Sequence, residues 1–100
     1  AAALKAAAQR PDAIQAVVSR GGRPDLAGEA LPKVEAPTLL IVGGADTQVI
    51  ELNKWARARM RATCELAIVP GATHLFEEPG TLSQAAQLAA DWFTQWLKPA

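Results

Sequence analysis

Three short runs of aliphatic and β-branched residues, each closed by glycine, punctuate this chain. They are Ile14 to Ser19 before Gly21-Gly22, Thr38-Leu39-Leu40-Ile41-Val42 before Gly43-Gly44, and Leu66-Ala67-Ile68-Val69 before Pro70-Gly71. Each has the length of a strand and is too short for an amphipathic helix. Between the second and third runs, Val49, Leu52, Trp55, Ala56 and Met60 recur at helical spacing, with Glu51, Lys54, Arg57 and Arg61 facing elsewhere. After the third, Leu82, Ala85, Leu88, Ala89, Trp92, Phe93 and Trp96 make a second apolar stripe. Strands alternating with such helices close a parallel sheet through right-handed crossovers. The expected fold class is therefore α/β, three-layered, with a parallel sheet of about three strands and crossover helices.

The remaining segments fit that frame. Residues 1–9 are strong helix formers, and Arg10-Pro11-Asp12 ends them, because proline turns its predecessor away from the helical region. The near-continuous hydrophobicity of the first run suits a parallel strand buried on both faces. From Gly21 to Pro37 the chain is rich in glycine and proline, and Leu26 to Leu31 has length for one or two irregular helical turns but none for a large lid. The last helix is expected to open on a capping box, Thr81-Leu82-Ser83-Gln84, and to stop at Pro99.

One hundred residues, half of them hydrophobic, supply one core, so residues 1–100 are read as a single domain. Ten basic and ten acidic residues cancel, leaving no field to draw nucleic acid. Cys64 has no second thiol to pair with, and no apolar run approaches the roughly 20 residues that span a bilayer. A soluble, cytoplasmic chain with no membrane partner is expected. One histidine gives no metal-ligand spacing, and Gly43-Gly44 lacks the third glycine of a dinucleotide fingerprint, so neither metal nor cofactor is expected. The chain opens on Ala1-Ala2-Ala3-Leu4 without a capping residue, as though it began inside a helix.

In open parallel sheets, chemistry gathers beyond the carboxyl ends of the strands. Two residues obey that rule, Asp46 after the second strand and His74 after the third. A carboxylate beside an imidazole makes a general base, two-thirds of a nucleophile-His-Asp triad. Asp46 serves equally well in sequence as an Asx-turn residue or the cap of the following helix. No nucleophile is evident. Ser19 sits at a strand end, but Val17-Val18-Ser19-Arg20-Gly21 lacks the leading glycine of a nucleophile elbow, and Cys64 reads as a small buried or half-buried residue. Trp55, Trp92, Phe93 and Trp96 read as core, and Arg57, Arg59 and Arg61 as a solvated helix face.

Three stretches, in this order and spacing, carry a resemblance. They are Ala16-Val17-Val18-Ser19-Arg20-Gly21-Gly22-Arg23-Pro24-Asp25, Pro37-Thr38-Leu39-Leu40-Ile41-Val42-Gly43-Gly44-Ala45-Asp46, and Gly71-Ala72-Thr73-His74-Leu75-Phe76-Glu77-Glu78-Pro79-Gly80. Together they resemble the C-terminal part of an α/β-hydrolase, most like the bacterial dienelactone-hydrolase-type family. The resemblance implies that Asp46 is the acid after the family's seventh strand and His74 the base after its eighth. It implies that the opening helix follows the nucleophile elbow, so that the chain is a partial domain truncated just after that elbow. The implied activity is carboxylic-ester or lactone hydrolysis, with the nucleophile and oxyanion hole lying outside these residues. The first strand would then have an unpaired edge, able to recruit a nucleophile-bearing N-terminal half or another copy of the chain. The alternative reading is a non-catalytic, self-associating folding or assembly module.

Overall fold

The computed structural model describes residues 2–97. Its elements are α1 (Ala2–Gln9), β1 (Val17–Arg20), a 3₁₀ segment (Pro24–Lys33), β2 (Thr38–Gly43), α2 (Thr47–Arg59), β3 (Cys64–Val69) and α3 (Thr81–Trp96). The strands form one sheet in the order β1-β2-β3, and both pairings are parallel. The fold is three-layered α/β, as the alternation of runs predicts.

β2 is the axis of the molecule. Hydrogen-bonded on both sides, with every residue from Thr38 to Gly43 buried, it accounts for the unbroken apolar run Leu39–Val42. Its side chains alternate between the two faces of the sheet, and each face is covered by a core. Leu39 and Ile41 join Val69, Ala72, Phe76, Ala85 and Trp92 under α3. On the opposite face Leu4, Ala7, Val17, Ala27, Leu31, Val34, Ala36 and Ala56 bring together α1, the 3₁₀ segment and α2.

β1 is shorter than its apolar run predicts. Pairing starts at Val17 opposite Thr38, with Val17 N–H donating to the Pro37 carbonyl at 2.9 Å. Pro37 has no N–H to offer, so the ladder does not extend back through Ile14 to Ala16. Nor is β1 buried on both faces: Val17 is buried, Val18 and Ser19 half-buried and Arg20 exposed. Its outer edge pairs with nothing among the described residues.

Three further expectations are corrected. α2 buries Asn53 and Ala56, while Trp55 is 40% exposed and lies under the Arg59 guanidinium, 3.7 Å from its ring centre. Leu82, placed on the buried stripe of α3 by its spacing, is 48% exposed. The capping box does not form. Gly80, at φ 80°, occupies the cap position, and the Thr81 hydroxyl donates backward to the Glu78 carbonyl at 2.8 Å. Trp92 does pack in the core, its indole N–H donating to the Pro37 carbonyl at 3.2 Å. The stop assigned to Pro99 lies outside the described residues.

Candidate active site

Two loops leave the carboxyl end of the sheet side by side, and backbone hydrogen bonds join them. Gly44 N–H donates to the Val69 carbonyl at 2.8 Å and Ala45 N–H to the Ala72 carbonyl at 3.0 Å. This close approach requires Gly43, since a Cβ there would run into the Ala72 carbonyl. The loop carrying Asp46 is thereby held in register with the loop carrying His74.

Across that seam His74 Nδ1 lies 3.3 Å from Asp46 Oδ2. The carboxylate side chain is 19% exposed and the imidazole 54%. Asp46 Oδ2 is fully shielded from solvent and has no hydrogen-bond partner, so the ring sits within ion-pair reach but off the line of a hydrogen bond. Such contacts are commonly loose before a site is complete and tighten with substrate. The arrangement separates the two roles that Asp46 has in sequence. It stands at the cap position of α2 with φ −96°, ψ 67°, yet its side chain caps nothing; its carbonyl takes the Ile50 N–H at 3.0 Å. The carboxylate faces the histidine instead.

The floor of the site comes from β1. Gly21 follows the strand at φ 59°, and a Cβ there would lie 3.0 Å from the His74 carbonyl and 3.2 Å from the Phe76 ring. A side chain at residue 21 would therefore both strain the backbone and push the histidine loop outward. Phe76 is buried with φ 55°, a left-handed conformation uncommon for a bulky residue. The Arg20 guanidinium lies 6.0 Å from its ring centre.

A clasp that the sequence reading missed closes the histidine loop. Glu78 accepts the Thr73 N–H at 2.9 Å on Oε1 and the Thr73 hydroxyl at 2.7 Å on Oε2. These hydrogen bonds, first the backbone N–H and then the hydroxyl, hold the Glu78 carboxyl below its ordinary value. The signal for it in sequence is slight: an acceptor five residues beyond a threonine, just before Pro79 and Gly80.

Neither alternative nucleophile joins the pair. Ser19 lies within β1 opposite Leu40, and its hydroxyl faces Gly22, where an added Cβ would meet it at 2.9 Å. Cys64 is the first residue of β3, beside the start of β2, with its thiol pushed up to about 11 by burial, against the opposing charge of Arg57. Arg57 donates to the Cys64 carbonyl at 3.1 Å and Arg59 to the Trp55 carbonyl at 3.1 Å, so these cations are spent locally and do not converge. Among the described residues no three His, Cys, Asp or Glu side chains are placed to hold a metal ion, and no helix is long and apolar enough to cross a membrane.

No protein-family model matches the chain. Two curated relatives, from Mycobacterium tuberculosis strains CDC 1551 / Oshkosh and ATCC 25618 / H37Rv, both carry the name "Putative phosphoribosyl transferase". Each is 64% identical over 96 residues, which is 96% of this chain and 22% of the relative. Among solved structures, the crystal structure of a dienelactone hydrolase from Anabaena variabilis ATCC 29413 matches with a TM-score of 0.95 and 60% identity, over 97% of this chain and 45% of that one. The chain thus spans less than half the length of each protein it matches. Sequence and fold together show the likeness, read first from three motifs, to the C-terminal part of a dienelactone-hydrolase-type α/β-hydrolase.

Proposed function

We propose that this chain carries the acid, Asp46, and the general base, His74, of a carboxylic-ester or lactone hydrolase whose nucleophile lies on a segment outside these residues. The observation that carries the reading is the 3.3 Å approach of His74 Nδ1 to a shielded Asp46 oxygen, with the rest of the imidazole exposed. With Nδ1 turned to the carboxylate, Nε2 is the nitrogen left for a nucleophile. His74 Nε2 takes the proton from a serine or cysteine as it attacks the substrate carbonyl, and Asp46 stabilises the imidazolium so formed. The imidazolium returns that proton to the leaving alkoxide. It then takes one from water attacking the acyl-enzyme, and gives it back to the departing nucleophile. The similar fold of a dienelactone hydrolase supports this substrate class.

Mixing the chain with the part of the Anabaena hydrolase that it does not match is expected to produce hydrolysis of a small 4-nitrophenyl ester that neither piece gives alone. A mixture that assembles and stays inactive would refute the reading. The name of the mycobacterial relatives gives no competing reading, because it attaches to proteins of which this chain spans 22%. Of the described arginines, Arg57 and Arg59 are spent on backbone carbonyls and Arg23 on Asp25.

One further observation favours a partner. The outer edge of β1 leaves backbone groups of Val17 to Arg20 unpaired by the sheet, and such an edge pairs readily with another strand. The occupant in this reading is the nucleophile-bearing part of the hydrolase or, failing that, a second copy of the chain acting as a self-associating module. Native mass spectrometry of the chain mixed with the unmatched part of the Anabaena hydrolase separates these outcomes: a complex of the two supports the hydrolase, multiples of 10.5 kDa support self-association, and bare monomer contradicts both uses of the edge. The lone free Cys64 suits a reducing, cytoplasmic setting for either.

A further inference from the structure

We propose that Glu78 is a positioning residue for His74, acting through Thr73; the inference rests on the reading of Asp46 and His74 as an acid–base pair. Of the eleven residues between β3 and α3, the one directly before His74 has both its donors gripped by one carboxylate, at 2.9 and 2.7 Å. Glu78 is itself anchored. Its carbonyl accepts the Thr81 N–H at 3.1 Å and the Thr81 hydroxyl at 2.8 Å, which fixes it to the first turn of α3. The Phe76 N–H turns back to the Thr73 carbonyl at 3.1 Å, and the buried Phe76 ring plugs the loop against Gly21.

The consequence is a loop with a closed base and an open crown. At the base Thr73 is tied to Glu78; at the crown His74 and Leu75 stand out, the latter 68% exposed. Among the described residues the ion-pair partner of the imidazole is Asp46, which makes no aligned hydrogen bond to it. The direction of the ring is therefore set by the backbone at Thr73, and that backbone is set by Glu78. Glu78 touches neither the imidazole nor any reacting atom, and an ionised carboxylate is the one side chain of this length that accepts from an N–H and a hydroxyl at once while remaining acceptor-only.

His74 is the chain's only histidine, so imidazole nitrogen NMR reads it without assignment. In the parent chain the neutral ring is expected to be mainly protonated on Nδ1, the nitrogen facing Asp46. Glu78→Ala and Thr73→Val are each expected to cause loss of that preference toward the tautomer mixture of an unconstrained histidine, while the circular dichroism of the folded chain persists. Thr73→Ser, which keeps the hydroxyl, is expected to restore it. Asp46→Asn separates the two claims. If it changes the His74 spectrum while Glu78→Ala and Thr73→Val leave it unmoved, the positioning role is overturned and the acid–base pair stands. If Asp46→Asn itself has no effect, the acid–base reading fails, and the positioning role with it.

Discussion

The His74 imidazole meets the Asp46 carboxylate at 3.3 Å across two loops whose backbones are themselves joined, Ala45 N–H to the Ala72 carbonyl at 3.0 Å. The pairing of the two side chains is thus inherited from the pairing of β2 with β3, which continues through Gly43 opposite Val69 and into the loops. A parallel sheet places both residues at the same end, and the seam between the loops fixes their separation.

The seam depends on the missing side chain at residue 43. Gly43→Ala would set a Cβ against the Ala72 carbonyl, a contact with backbone that no rotamer relieves. A cost of about 1–3 kcal/mol is expected in urea denaturation, as for other overpacked sites. Gly71→Ala meets nothing within 4 Å and suffers only from its φ of 75°, an expected cost of about 1 kcal/mol. A Gly43→Ala chain as stable as the parent would contradict the close approach.

The clasp at the base of the histidine loop gives a pH signature. Thr73 holds the Glu78 carboxyl below its ordinary 4.5, through its N–H first and its hydroxyl second. A carboxyl lowered by folding contributes stability that is complete above its unfolded value and is lost as pH falls through the lowered folded value. Glu78→Ala should therefore be less stable than the parent at neutral pH, and the gap should shrink as the pH is taken toward about 2, below the carboxylate range. Denaturation at both pH values checks this; a gap independent of pH would contradict it.

Cys64 is expected to be unreactive. With its thiol pushed up to about 11, chiefly by burial, only about one molecule in a thousand carries the thiolate at pH 8. Labelling by a disulfide reagent should be on the order of a hundredfold slower in the folded chain than in denaturant. Equal rates in the two states would show that the thiol is exposed and that β3 frays at its start.

What was legible in the sequence followed burial on both sides. Leu39 to Val42 read as a central strand because every side chain there is buried. Asp46 and His74 were legible because glycine turns mark the strand ends. Where one face meets solvent, periodicity misled. Trp55 and Leu82 keep helical spacing, yet both are exposed, and Trp55 finds a guanidinium in place of a core. β1 was overextended because the run of apolar side chains carries no sign that its partner begins with Pro37. The Thr73–Glu78 clasp was invisible because no local rule brings together residues five apart in a loop; it exists only once Phe76 turns left-handed and folds the loop back. The role of Asp46 lay open for the same reason, since the choice between capping a helix and facing an imidazole is made by tertiary contact.

The central claim is that Asp46 and His74 work as an acid–base pair, and turnover in a covalent chimera tests it most directly. Joined to the part of the Anabaena hydrolase that it does not match, this chain should hydrolyse a small ester. In that folded chimera His74→Ala should lower kcat by at least about 10³-fold and Asp46→Asn by a comparable factor, as removal of triad members does elsewhere. Hydrolysis that persists undiminished in both variants would contradict the account.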